Sequence, residues 1–79
     1  MSRKVFVDVQ AEFSADGTIT PLSIRWEDGT VYPIDRILQV CRAASLKVGG
    51  IGVRYTCRIG NHVTHIFLDD NQWFCEAKE

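Results

Sequence analysis

Apolar and polar positions alternate along most of this chain, and four pairs of turn formers divide the alternation into short runs: Asp16-Gly17, Asp28-Gly29, Gly60-Asn61 and Asp70-Asn71. Such pairs supply the positive φ angles that tight hairpins need. The runs between them are rich in Val, Ile, Thr and aromatic residues, as strands are. The pattern predicts antiparallel β-structure throughout. It contains no repeat, no low-complexity segment and no linker.

Each hairpin can be tested by register, because a slip of one residue turns every side chain over. With Asp16-Gly17 as a two-residue loop, Phe13 faces Thr20, Ala11 faces Leu22, Val9 faces Ile24 and Val7 faces Trp26. All of these share one face, and Asp8 and Arg25 form a cross-strand pair on the other. With Asp28-Gly29 as the next loop, Trp26 faces Val31 and Ile24 faces Pro33. Pro21 and Pro33 lack an amide hydrogen and suit edges, bulges or strand ends.

The C-terminal half follows the same logic. A Gly60-Asn61 loop places Ile59 opposite His62, Cys57 opposite Thr64, Tyr55 opposite Ile66 and Val53 opposite Leu68. An Asp70-Asn71 loop places Leu68 opposite Trp73, Ile66 opposite Cys75 and Thr64 opposite Ala77. The two hairpins agree on the apolar face, which predicts a three-stranded meander over residues 51–78.

Residues 32–46 admit two readings. Ile34, Ile37, Leu38 and Cys41 fit a helical stripe, with Pro33 at its start. The direct continuation from a hairpin strand favours a long, bent strand, with residues 45–50 as a connecting loop. Five to six antiparallel strands in so short a chain predict an all-β fold, a small SH3-like barrel, since closure hides sheet edges.

Seventy-nine residues, 46% of them hydrophobic, make one domain with one modest core. The three cysteines, Cys41, Cys57 and Cys75, are too few and too widely spaced for a disulfide framework. Asp8 interrupts the first apolar run too early for a signal peptide, and no run reaches membrane-spanning length. The expectation is a reduced, cytoplasmic protein that does not enter membranes.

Charge changes the picture more. The formal net charge is −1, yet residues 36–68 hold no acid and five cations: Arg36, Arg42, Lys47, Arg54 and Arg58. The acids gather on either side. Such local asymmetry allows an anionic partner that the total would not suggest.

Candidate chemistry is sparse. Cys57, His62, His65 and Cys75 could make four metal ligands, but none has Cys-x-x-Cys spacing, and the register turns both cysteines to the core and His65 away. They are read as structural, with no metal and no cofactor assigned. No thiol–imidazole pair or carboxylate pair emerges, so no catalytic residue is assigned and the chain is read as a non-enzyme. The Gly-rich stretch at residues 47–52 lacks the Gly-Lys-Ser/Thr ending of a P-loop and is read as a loop with one glycine marking a bulge.

The outward face of the meander is the strongest candidate surface. The register sets Arg54, Phe67 and Phe74 in one row, Thr56, His65 and Glu76 in the next, and Arg58, Val63 and Lys78 in the third. Aromatics flanked by arginines suit base stacking and phosphate binding. They equally suit a protein partner or a homodimer mate. The alternative is that the N-terminal strand or a subunit covers Phe67 and Phe74. The candidate binding residues are Arg54, Arg58, Phe67 and Phe74, with Arg42 and Lys47 contributing from the neighbouring loop.

The spacing Trp26-x-x-Gly29-x-x-Tyr32-x-Ile34-x-x-Ile37-Leu38, then Arg54-Tyr55, then Leu68-Asp69-x-x-x-Trp73-Phe74, resembles that of small uncharacterised bacterial single-domain β proteins. The resemblance covers most of residues 20–75. It implies a compact, mostly-β domain and no catalytic residue.

Overall fold

The structure, a computed structural model, describes residues 2–44 and 51–78. It is all-β, with eight strands: β1 Ser2–Phe6, β2 Asp8–Phe13, β3 Ile19–Arg25, β4 Val31–Pro33, β5 Arg36–Ala44, β6 Ile51–Ile59, β7 His62–Asp69 and β8 Gln72–Lys78. They form two antiparallel sheets, one ordered β1-β8-β7-β6-β5 and one ordered β2-β3-β4. The two ladders are separate, and the sheets do not close into a barrel by hydrogen bonding. Chain continuity links them at two corners. Val7 alone separates β1 from β2, and Ile34-Asp35 separates β4 from β5. Backbone bonds hold both corners: Val7 N to Trp73 O, Ile34 N to Leu22 O, and Asp35 N to Arg58 O. These corners turn the expected five to six strands into eight. Residues 32–44 are strand on either side of the second corner, not helix.

The C-terminal ladders have the expected register. Val53–Leu68, Tyr55–Ile66, Cys57–Thr64 and Ile59–His62 pair between β6 and β7, and Leu68–Trp73 and Ile66–Cys75 between β7 and β8. The described β7–β8 ladder ends at Ile66–Cys75, short of Thr64 and Ala77. Asp70 and Asn71 both have positive φ (52° and 62°), which a two-residue primed turn requires.

The N-terminal hairpins depart from expectation by one residue. Ser14 N bonds Thr18 O and Trp26 N bonds Thr30 O, so each Asp-Gly loop holds three residues. Only Gly17 and Gly29 take positive φ there (91° and 88°). Each aspartate instead accepts the amide two residues on, Thr18 N to Asp16 Oδ1 at 3.0 Å and Thr30 N to Asp28 Oδ1 at 2.9 Å. The β3–β4 pairs are therefore Ile24–Tyr32 and Arg25–Val31. In β2–β3 the slip is corrected by a bulge. Ala11 pairs with Pro21 and Gln10 with Ser23, leaving Leu22 as the extra residue and restoring the expected Val9–Ile24 and Asp8–Arg25 pairs.

The inward faces meet in a small core of Val5, Val7, Ile24, Tyr55, Cys57, Ile66 and Cys75. Tyr55 Oη donates to Ile19 O at 2.7 Å and ties the two sheets together. A second bulge, at Leu38 in β5, leaves Ile37 opposite Cys57 and Val40 opposite Tyr55. Two core-side positions thus fall three residues apart. Gly52 is not a bulge residue; it pairs in ladder with Ala43, and a Cβ there would lie 2.9 Å from Leu68 O. The rest of the Gly-rich stretch, residues 47–50, and the loop read over 45–50 lie outside the described residues.

Candidate nucleic-acid interface

The outer face of the five-stranded sheet carries one row across every strand. Phe6 on β1 is opposite Phe74 on β8, Phe74 opposite Phe67 on β7, Phe67 opposite Arg54 on β6, and Arg54 opposite Cys41 on β5. Strand pleating makes this a shared face, because each row neighbour has the same parity. The Phe67 and Phe74 rings stack at 5.1 Å between centroids, 8° from parallel. Phe6 meets Phe74 edge-on at 6.0 Å. Lys4 Nζ lies 4.3 Å from the Phe74 centroid and 5.7 Å from that of Phe6, within cation–π range.

The row of Arg54, Phe67 and Phe74 is where the register placed it, but Phe74 is only 3% exposed. Its partners Phe6, Phe67 and Lys4 cover it, so its ring serves as the base of the cluster. The exposed aromatic surface comes from Phe6, at 55%, and from half-buried Phe67. Phe6 and Lys4 could not be placed from the sequence, since the pairing of β1 with β8 joins the two ends of the chain and leaves no local signal.

The cations spread along the same face. Arg58 is exposed opposite Val63 on one side and opposite Arg36 on the other. Two like charges directly opposed are unfavourable unless an anion lies between them. Arg36 belonged to the acid-free window, and only the β5–β6 register shows that it joins Arg58. Arg54 is half-buried, and its buried Nε has no hydrogen-bond partner. Thr56 Oγ1 and His65 Nδ1 are 3.1 Å apart in the neighbouring row. Glu76 sits opposite Lys4.

Two expected contributors are elsewhere. Arg42 is in β5, not in a loop, and pairs with Val53, a residue packed against the core. It therefore has the opposite parity from Arg54 and does not join the row. Lys47 lies outside the described residues.

Of the three thiols, Cys41 lies on this face, half-buried opposite Arg54, and the other two are turned to the core. Cys57 and Cys75 are buried, and burial pushes both up to about 11. They lie on the core side of the sheet, away from His65. Among the described residues, no group of three His, Cys, Asp or Glu could hold a metal ion, and no helix is long and apolar enough to cross a membrane.

A second concavity went unnoticed in the sequence. Trp26, Tyr32 and Pro33 from the smaller sheet face Ile59 and His62 of the β6–β7 hairpin across a cleft of about 740 Å³. Asp35, at the corner before β5, lines its edge and accepts the Gly60 amide through Oδ2 at 2.6 Å. The shifted β3–β4 register sets Tyr32 beside buried Ile24, and both line this cleft.

The chain matches no protein-family model, no curated protein and no solved structure.

Proposed function

We propose that this chain is a non-enzymatic binding module that holds single-stranded nucleic acid on the outer face of its five-stranded sheet. The observation that carries the reading is the Phe6–Phe74–Phe67–Arg54 row, flanked by Lys4 and by the opposed Arg36 and Arg58. Phe6 and Phe67 offer ring surface for bases, and base–aromatic stacking contributes about 1–3 kcal/mol per base. A phosphate between Arg36 and Arg58 would relieve their repulsion. An acceptor that drew Arg54 outward would satisfy its orphaned Nε, whose burial costs about 1–3 kcal/mol.

The architecture fits the same proposal. With the corners at Val7 and Ile34-Asp35 taken as continuous strands, the chain runs as an SH3-like barrel opened along its edges. A cytoplasmic setting and kinship with small bacterial β domains go with it.

Fluorescence anisotropy with labelled single-stranded RNA and DNA tests the reading. Affinity should fall as salt rises, with a log–log slope of about −0.7 for each phosphate neutralised. Arg58→Ala should flatten that slope by about one contact, and Phe67→Ala should weaken binding about tenfold with the slope unchanged. No binding at low salt would refute it.

A second reading, a protein partner or a second copy of the chain, is favoured by β5, which has no strand on its outer side among the described residues. Its nine residues include exposed Leu38 (49%) and Val40 (54%). Light scattering that reports a monomer would count against self-association.

A further inference from the structure

We propose that the cleft between the sheets binds an alkylammonium group, an amine on a short apolar stem. Two aromatic side chains, Trp26 and Tyr32, line it together with Ile24, Ile59 and Pro33. Aromatic faces attract cations through the ring quadrupole, most strongly where water is excluded. Among the described lining residues Asp35 is the only carboxylate, and none is Lys or Arg. Its Oδ2 accepts the Gly60 amide. A carboxylate has about four acceptor sites, so capacity remains for an ammonium. The other titratable groups lining the cleft are Tyr32 and His62.

These features select one chemistry. An anionic ligand would face Asp35 with no Lys or Arg among the described lining residues to offset it. A strongly polar neutral ligand would lose its hydrogen bonds against an apolar wall. An ammonium carried on methylene or methyl groups matches both the wall and the charge, as lysine side chains and quaternary amines do. The cleft is on the core side of the five-stranded sheet, so this proposal and the nucleic-acid reading stand or fall separately.

The test uses four probes at millimolar concentration, followed by indole fluorescence and by ¹H–¹⁵N chemical shifts. They are choline, its neutral isostere dimethylbutanol, N-acetyl-lysine methylamide and its trimethyl-lysine counterpart. Choline or a lysine probe should shift Trp26, Tyr32 and His62, and the neutral isostere should not. Binding of choline alone identifies a free quaternary amine as the ligand; binding of a lysine probe identifies a peptide side chain. Asp35→Asn, which keeps an acceptor for Gly60, should weaken binding about tenfold, and Tyr32→Leu should do likewise. Equal binding of the isostere, or shifts scattered away from the cleft, would overturn the proposal.

Discussion

At Asp16 and Asp28 the carboxylate accepts the Thr18 or Thr30 amide, then the same residue's hydroxyl, and both groups are held below the ordinary value of 3.8. Their folded values are depressed, so the stabilisation is present above that range and is lost as pH falls through the folded values. Carboxyl ¹³C titration should give midpoints below 3.8 at both sites; midpoints at or above it would contradict the turn geometry. The cysteines make an independent check. With Cys57 and Cys75 buried and pushed to about 11, and Cys41 half-buried, a thiol reagent at pH 8 should label Cys41 first. The other two should react only on unfolding. Prompt native labelling of all three would contradict the core assignment.

The elements differ in how openly the chain states them. Tyr55→Phe removes the bond from β6 to Ile19 O and should cost about 0.5–1.5 kcal/mol in urea unfolding, with the fold retained. Gly52→Ala should destabilise further, because its Cβ would press on the Leu68 carbonyl at 2.9 Å. An unchanged midpoint for Gly52→Ala would contradict the close β6–β7 approach. The β6–β8 meander was legible because Gly60-Asn61 and Asp70-Asn71 are true two-residue loops, so hairpin arithmetic holds. It failed by one residue at Asp16-Gly17 and Asp28-Gly29, where the aspartate caps an amide instead of entering positive φ. The Leu22 bulge adjoins Pro21, whose missing amide hydrogen suits an edge, bulge or strand end without choosing among them, and the Leu38 bulge has no such local mark. The helical stripe read at Ile34, Ile37, Leu38 and Cys41 mixes faces: Ile34 and Ile37 pack against the core on either side of the second corner, Leu38 is the bulge residue, and Cys41 lies opposite Arg54 on the outer face. The candidate row was legible at Arg54, Phe67 and Phe74, which lie in the meander. Phe6 and Arg36 join that face only through long-range pairing, which strand patterns do not encode.

The whole molecule is thin and open-ended. Its Cα radius of gyration is 12.1 Å, and its extents are 38 × 29 × 20 Å. A compact chain of this length would have a radius of about 11.6 Å. Among the described residues, eight hydrophobics are buried and eight large ones are exposed. Such a core leaves a small stability margin. Ile66, fully buried between Tyr55 and Cys75, is its centre. Ile66→Ala should cost about 2–5 kcal/mol, most of that margin, and shift the urea midpoint sharply down. A variant with the wild-type midpoint would place the core elsewhere. The core is small, and the outer face of the larger sheet carries one row of side chains across all five strands. We propose this outer face as the working one. The most direct test is the ¹H–¹⁵N spectrum of the protein titrated with a single-stranded oligonucleotide. Shifts are expected at Phe6, Arg36, Arg54, Arg58 and Phe67, with Cys57, Ile66 and the cleft residues unmoved. Saturating shifts confined to the smaller sheet or the cleft, or none at low salt, would contradict it.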